Sequence, residues 1–84
     1  MNIIKIIAQP YVLEILEALK KPKRYRDLKP VCKNDRTLTK RINNLQELGL
    51  VESVALKEGN KYVNFYRLTN KGRNFLAKIE KLKL

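Results

Sequence analysis

Residues 34–51 read NDRTLTKRINNLQELGLV, and this stretch decides the fold of the chain. Its apolar positions recur at intervals of four, three and three, at Leu38, Ile42, Leu45 and Leu48. That spacing is typical of one buried face of an α-helix. Asn34 is a favoured N-cap before the first turn, and Gly49 is a favoured stop after the last one. The stretch therefore predicts a helix over residues 35–48.

Beyond this helix the chain changes to a pattern typical of strands. Residues 50–56 and 61–68 are rich in Val or in aromatic residues, and the pair Gly59 and Asn60 lies between them. Two such runs around a Gly-Asn pair predict a β-hairpin over residues 50–68.

Helical patterns occupy both ends of the chain. Ile residues cluster in an N-terminal helical extension, residues 1–9, and Pro10 fits the first turn of a first helix over residues 10–21. Thr69 is an N-cap candidate for a last helix over residues 69–84, whose apolar positions again follow helical spacing.

The segment before the central helix is expected to be short and less regular. Residues 23–25 suit an extended conformation, and residues 26–32 suit a brief helix with Leu28 and Val31 facing inward. Pro30 shortens or distorts this helix, because proline beyond the first turn breaks helical hydrogen bonding.

The order of these elements predicts a winged helix-turn-helix, mainly α-helical with a small β-hairpin (α+β). The helix-turn-helix occupies residues 26–48 and the wing residues 50–68. With 84 residues, 44% of them hydrophobic and 32% charged, residues 1–84 suit a single small globular domain.

The charge of the chain points to a polyanionic partner. Nineteen Lys and Arg stand against eight Asp and Glu, which gives a net charge of +11. Residues 20–41 hold ten basic and two acidic residues, so this stretch alone carries +8. Such placement favours duplex DNA over the alternative, a merely solubilising surface as in heat-adapted proteins. No apolar run approaches the length of about 18 residues that a membrane helix needs, so no membrane partner is expected.

Several classes of activity are disfavoured. The chain has no His, a single Ser and three widely spaced Gly, so neither an active site nor a phosphate-binding loop is indicated. We expect no enzyme activity, no cofactor and no metal. The lone cysteine, Cys32, excludes an internal disulfide; we expect a small buried hydrophobe, the alternative being a redox or partner-binding thiol.

The polar face of helix 35–48 carries residue types that bind DNA. Arginine can pair with guanine, asparagine with adenine, and threonine can contact the thymine methyl group. We place one acid on this face, Glu47 in its last turn, whereas a merely solvated helix face mixes both charges throughout. Arg41 lies nearer the apolar face, so we expect it to reach a phosphate. The expected contacts in this region are Arg24, Arg26, Asn34, Arg36, Thr37, Thr39, Lys40, Arg41, Asn43 and Asn44.

The wing offers further cations at its tip. We expect Lys57, Asn60 and Lys61 to contact phosphates, with Glu58 opposing them; the alternative is a simple solvent-exposed turn.

The second strand of the wing has apolar groups on both faces. Tyr66 and Leu68 are expected on the core side, which leaves Val63 and Phe65 partly exposed. An exposed apolar pair would mark a partner surface, or, less favoured, rings that stack on single-stranded bases.

Four stretches carry a resemblance to a known family: YVLEILEAL at 11–19, RYRDL at 24–28, LTKRINNLQELGLV at 38–51 and FYRLTNKG at 65–72. Together they resemble the small winged-helix transcriptional regulators of bacteria and archaea, of the HxlR and MarR types. The resemblance covers about residues 10–82. Its most specific parts are the Leu-Gly-Leu-Val junction and the Tyr-x-Leu-Thr-x-x-Gly motif, which in the family mark the end of the recognition helix and the start of the C-terminal helix.

Two residues depart from the family pattern. Lys33 stands where such proteins place an apolar residue, so we expect Val31 or Cys32 to fill that core position. Pro30 stands where the family has an ordinary helical residue.

The resemblance implies a sequence-specific regulator of transcription that binds double-stranded DNA and is cytoplasmic and nucleoid-associated. Promoter occlusion is the simplest mechanism, so we expect repression rather than activation. We expect a homodimer formed by the N-terminal Ile run and the last helix. Two other functions remain open on the same scaffold: an RNA- or ribosome-associated protein, or a protein-bridging module that uses Val63, Phe65 and the terminal helices.

Overall fold

A computed structural model describes residues 3–82 of the chain. It contains four α-helices, one 3₁₀ turn and an antiparallel hairpin, in the predicted order. The elements are α1 (Ile3–Ile7), α2 (Val12–Ala18), the 3₁₀ turn (Tyr25–Leu28), α3 (Asp35–Glu47), β1 (Val51–Glu58), β2 (Lys61–Leu68) and α4 (Asn70–Leu82). The predicted α+β winged helix-turn-helix is confirmed. Residues 1–2 of the expected N-terminal extension and 83–84 of the expected last helix lie outside the described residues.

One apolar core joins all of these elements. The predicted apolar stripe of α3 is buried at Leu38, Ile42 and Leu45. Leu48, the C-cap residue of α3, is half-buried. No polar or charged residue among residues 3–82 is buried. The core members are Ile6, Val12, Ile15, Leu16, Leu19, Leu28, Cys32, Leu38, Ile42, Leu45, Leu50, Val51, Leu68 and Leu76. Burial of the stripe fixes which face of α3 is left for solvent or a partner.

The first helix is shorter than predicted at both ends. Pro10 does not lie in its first turn but in the turn between α1 and α2, where Tyr11 adopts a left-handed backbone with φ of 73°. The N–H of Val12 donates to the carbonyl oxygen of Gln9 across this turn at 3.4 Å. At the other end α2 stops at Ala18, because the chain soon becomes extended to pair with the wing.

The second helix of the helix-turn-helix is reduced to the 3₁₀ turn, so the expected helix over residues 26–32 is wrong in extent. The N–H groups of Val31 and Cys32 both donate to the carbonyl oxygen of Leu28, at 3.0 and 3.2 Å, and Pro30 has no N–H to continue a helix. Cys32, 2% exposed, takes the core position that Lys33 leaves open. Its prediction as a small buried hydrophobe is confirmed.

The wing is a regular hairpin whose register runs from Val51 opposite Leu68 to Glu58 opposite Lys61. The turn is closed by Gly59 and Asn60, and the φ of 64° at Gly59 is a conformation that favours glycine.

An isolated β-bridge joins the segment after α2 to the second strand of the wing. Lys23 exchanges two backbone hydrogen bonds with Tyr66, at 2.9 and 2.7 Å, which agrees with the extended conformation expected there. The expectation is wrong at Tyr25, which begins the 3₁₀ turn. Leu68 is buried and Tyr66 packs against the core, whereas Val63 and Phe65 are partly exposed, as expected.

The two motifs that carry the family resemblance meet at one joint between α3 and α4. The hydroxyl of Thr69 donates to the carbonyl oxygen of Gly49 at 2.6 Å and accepts the N–H of Gly72 at 3.0 Å, which confirms Thr69 as the N-cap of α4. The N–H of Thr69 donates to the carbonyl oxygen of Leu50 at 3.0 Å. Gly72 packs so close to Leu50 that a Cβ there would overlap the same carbonyl oxygen.

A lysine completes the joint. The ammonium group of Lys71 donates to the carbonyl oxygen of Leu48 at 2.9 Å, at the C-terminal end of α3 where carbonyls lack helical partners. The start of α4 thus binds three successive carbonyls that follow α3, and it holds the two helices in a fixed relation.

Candidate nucleic-acid interface

The exposed face of α3 forms a shallow depression lined by polar side chains. Its lining residues are Asp35, Arg36, Thr39, Lys40, Asn43, Asn44 and Glu47. Five of the residues expected on the DNA side are therefore brought onto one surface of a single helix. The expectation of one acid on this face is wrong, because Asp35 joins Glu47 there.

The N-terminal end of α3 is capped as predicted. The side-chain oxygen of Asn34 accepts the N–H of Thr37 at 3.0 Å, and Asp35 follows in the first turn. The cap uses one lone pair of the Asn34 amide oxygen, and the amide nitrogen stays available to donate to a partner.

A hydrogen-bond network that sequence reasoning missed covers this end of the helix. The hydroxyl of Tyr25 lies 3.1 Å from the carbonyl oxygen of Asp35, 3.3 Å from its carboxylate and 2.9 Å from the hydroxyl of Thr39. Lys29 forms an ion pair with the Asp35 carboxylate. The hydrogen bond from Lys29, with a smaller contribution from Tyr25, lowers the pKa of Asp35 below its ordinary value. Lys29 therefore offsets the negative charge of Asp35 on a face that is otherwise suited to anions.

Arg24 connects the helix-turn-helix to the wing. Its guanidinium forms an ion pair with Glu58 at the wing tip and lies over the ring of Phe65, 5.5 Å from the ring centre. The hydrogen bond that Arg24 donates to the Glu58 carboxylate raises the pKa of Arg24 further above its ordinary value. Arg24 is thus engaged within the chain, and the DNA contact expected for it stays a prediction, since the pair leaves other N–H groups of the guanidinium free to donate. Arg26, two residues on, is exposed.

Arg41 also has an internal partner. Its Nε donates to the carbonyl oxygen of Pro10 at 3.1 Å, which ties α3 to the turn before α2. The phosphate contact expected for Arg41 stays a prediction, since this bond occupies one of its five N–H groups.

The wing tip lies next to the helix-turn-helix. Lys57, Asn60 and Lys61 are all exposed, as expected. Neighbouring residues of one segment make the connection, since Arg24 binds the tip at Glu58 while Tyr25 binds α3. The exposed face of α3 and the cations of the wing tip are therefore linked through residues 24–25.

A second, apolar surface lies between the terminal helices. It is a groove of about 290 Å³ lined by Ile3, Ile4, Ile7, Ala8, Phe75 and Ile79. Ile4 is 74% exposed and Leu82, at the end of α4, is 86% exposed. Apolar side chains at this exposure are typical of a surface that another molecule covers.

Within residues 3–82, no group of three or more His, Cys, Asp or Glu side chains could hold a metal ion. Nor is any helix in the described part of the chain long and apolar enough to cross a membrane.

A polar helix face beside a basic wing, on a winged helix-turn-helix scaffold, defines a class of DNA-binding proteins. The family model for the HxlR-like helix-turn-helix matches residues 6–84. The chain therefore belongs to the HxlR-like helix-turn-helix family, whose members are DNA-binding regulators of transcription and not enzymes.

Solved structures of transcriptional regulators share this fold. The reduced form of YodB from B. subtilis matches with a TM-score of 0.81 and 22% identity, over 95% of this chain and 80% of that chain. A regulator of the MarR family from Enterococcus faecalis V583 matches with a TM-score of 0.81 and 23% identity, over 94% and 74%. The transcriptional repressor BigR from Xylella fastidiosa matches with a TM-score of 0.72 and 23% identity, over 94% and 77%. Among curated proteins, none matches the sequence.

Proposed function

We propose that this protein is a sequence-specific regulator that binds double-stranded DNA with α3 in the major groove. The observation that carries the proposal is the polar exposed face of α3, which contacts of Arg24 and Tyr25 link to the wing tip. A major groove about 12 Å wide admits one α-helix, and the wing then lies over the adjacent backbone.

Within this surface the helix supplies the base contacts. Arg36, Lys40 and Asn43 are exposed on the side of α3 opposite its buried stripe. An arginine can donate two parallel hydrogen bonds to guanine, and an asparagine can bind adenine through both ends of its amide. These side chains therefore give α3 the means to distinguish base pairs.

The wing supplies contacts that do not depend on sequence. Lys57 and Lys61 flank the exposed turn, and ammonium groups bind phosphates as compact charges. Glu58 lies between them in sequence, but its carboxylate is engaged by Arg24. The pair reduces the repulsion that Glu58 would otherwise exert on a phosphate.

The apolar groove between α1 and α4 is proposed as the homodimer interface. A chain of this size buries only about 60% of the surface that it exposes when unfolded, so a second copy adds burial that the monomer lacks. The joint between α3 and α4 would then fix the distance between the two recognition helices. Half-sites about one helical turn apart, roughly 10 base pairs, fit a two-fold dimer.

We further propose repression by promoter occlusion at the nucleoid in the cytoplasm. A chain that occupies a promoter without contacts to polymerase blocks transcription by excluded volume alone, which is the simplest mechanism open to a small domain.

The central experiment is the selection of bound duplexes from a random pool, followed by anisotropy titration of the selected duplex at several salt concentrations. About 6–8 neutralised phosphates predict a log–log slope of affinity against salt near −5 to −7. A slope near zero, no enriched sequence, or tighter binding to structured RNA at the same salt would contradict the proposal.

Single substitutions separate the two kinds of contact. Arg36→Ala should weaken the selected duplex by about 1–3 kcal/mol and relax preference at one base pair, whereas Lys57→Ala should weaken all duplexes alike. Lys78→Ala removes the same charge from the exposed side of α4 and serves as the control. If Arg36→Ala weakens every sequence equally, Arg36 is not a base contact.

The dimer is tested by molar mass from light scattering. Ile4→Glu places a charge in the groove at a side chain that is already exposed, so it should yield a folded monomer. Lys5→Glu changes the neighbouring exposed residue, which does not line the groove, and should leave the dimer intact. A monomeric wild-type protein at micromolar concentration contradicts the interface.

A further inference from the structure

The hydroxyl of Thr39 has a partner inside the protein, although Thr39 lies on the exposed face of α3. Its oxygen is 2.9 Å from the hydroxyl of Tyr25, which extends from the 3₁₀ turn. The same Tyr25 hydroxyl is within hydrogen-bond distance of two oxygens of Asp35. The direction of these bonds decides what Thr39 can offer to a ligand.

The protons can be assigned from the chemistry of the groups. A carbonyl oxygen and an ionised carboxylate only accept, so the single proton of the Tyr25 hydroxyl must serve Asp35. Asp35 is ionised near neutral pH, because its ion pair with Lys29 lowers its pKa. The bond between the two hydroxyls therefore requires Thr39 to donate and Tyr25 to accept. Thr39 then has no hydroxyl proton left for a base.

What remains for recognition on the Thr39 side chain is its methyl group and the acceptor lone pairs of its hydroxyl oxygen. We propose that Thr39 reads the C5-methyl group of a thymine in the major groove, and that Tyr25 is the positioning residue that turns the Thr39 hydroxyl away from the base. The proposal rests on the proposed function, since it names the chemical group that the α3 face recognises at one position. Contact between a threonine methyl and the thymine methyl is apolar, so it does not require the hydroxyl.

The first part of the test changes the DNA. Deoxyuridine keeps every hydrogen-bonding group of thymidine and lacks only the methyl group of its base. The duplex selected by the wild-type protein is resynthesised with each thymine of a half-site replaced in turn. Burial of one methyl group corresponds to an affinity ratio of about fourfold. We expect this loss for the wild-type protein at one thymine per half-site.

The protein side of the test varies Thr39. Thr39→Ser keeps the hydroxyl and removes the methyl, so it should bind the thymine and deoxyuridine duplexes equally. Thr39→Val keeps a methyl in either γ position, so it should retain the fourfold ratio. Lys78→Ala changes an exposed side chain of α4 outside the proposed DNA surface and should leave the ratio unchanged.

Tyr25 is tested by Tyr25→Phe, which removes only its hydroxyl. Without this partner the Thr39 side chain populates other rotamers, so the ratio of the affinity for the thymine duplex to that for the deoxyuridine duplex should fall below the wild-type value. The double variant Tyr25→Phe with Thr39→Val should restore this ratio. A role in stability alone would lower the melting temperature and leave the ratio unchanged, and this result overturns the positioning role.

The remaining outcomes are equally distinct. If specific binding is tight but no thymine-to-deoxyuridine change weakens it, or if Thr39→Ser keeps the full ratio, the inference is wrong while the proposed function stands. A selected site without thymine likewise overturns the inference and leaves the proposed function standing. If the random pool yields no enriched duplex, the proposed function fails and this inference fails with it.

Discussion

Gly72 should not tolerate a methyl group, although it lies inside a helix where alanine is ordinarily preferred. A Cβ at this position would overlap the carbonyl oxygen of Leu50 and lie 3.0 Å from its carbon and 3.3 Å from its Cα. All three distances are shorter than ordinary van der Waals contact, so the whole Leu50 peptide must move. Gly72→Ala therefore perturbs the joint between α3 and α4 directly.

The magnitude follows from three contributions. Replacing glycine by alanine inside a helix stabilises it by about 1 kcal/mol. Against this, overpacking costs about 1–3 kcal/mol. Moving Leu50 also weakens its 3.0 Å hydrogen bond from the N–H of Thr69, which is worth about 1 kcal/mol. The net expectation is a loss of about 2 kcal/mol, which lowers the melting temperature by about 8–16 °C in a domain of this size.

The assay is thermal and urea unfolding followed by far-ultraviolet circular dichroism. Asn74 is exposed on the same helix, so comparing Asn74→Ala with Asn74→Gly measures the preference of α4 for alanine where no contact interferes. There the alanine variant should be more stable by about 1 kcal/mol. A Gly72→Ala protein that melts at or above the wild-type temperature would refute the reasoning, because the Leu50 contact would then impose no constraint.

Three further predictions concern side chains with internal partners. Glu58→Gln should release Arg24 and remove a negative charge from the wing tip, so duplex affinity should rise in low salt while stability changes little, since exposed ion pairs contribute at most about 1 kcal/mol. Arg41→Ala should lower the melting temperature, since it removes the hydrogen bond to Pro10, and should reduce the salt slope by about one if Arg41 binds a phosphate as expected; an unchanged slope contradicts that contact. The folded-state pKa of Asp35 is lowered, so the stability that its ionised form contributes is present above the unfolded pKa of 3.8 and is lost as the pH falls through the folded-state pKa. In Asp35→Asn, the free energy of unfolding should therefore depend less on pH between these two pKa values.

Most elements of the fold could be predicted because their signals are local. The spacing of Leu38, Ile42 and Leu45 is the spacing of a helix wherever the chain is placed, and Asn34 caps its own helix by a bond that spans three residues. The hairpin turn likewise depends on Gly59 alone. Each of these signals lies within one element, so no knowledge of the tertiary structure is needed.

Where the sequence misled, a distant segment competed with a local preference. Pro10 suits a first helical turn, yet the chain turns between α1 and α2 with a left-handed backbone at Tyr11, and α2 begins only at Val12. The stretch around Leu28 has helical spacing, yet Pro30 and the pairing of Lys23 with Tyr66 leave room for one 3₁₀ turn only.

The candidate site likewise has residues that could be predicted from the sequence and contacts that could not. The polar face of α3 follows from helical periodicity, so Arg36, Lys40 and Asn43 could be named from their spacing. The partners of Arg24, Tyr25 and Arg41 could not, because those contacts join residues 34, 14 and 31 positions apart in the chain.

The sequence by itself determined the elements, the buried stripe and the excess of positive charge around the central helix, because periodicity, capping and composition act over a few residues. Only the tertiary structure decided which of those cations and hydroxyls remain for a partner. Hydrogen bonds and ion pairs depend on distances of about 3 Å between atoms, and such distances between remote residues are set by packing. That is why the Thr39 hydroxyl has Tyr25 as a partner, and why Arg24 supports the wing.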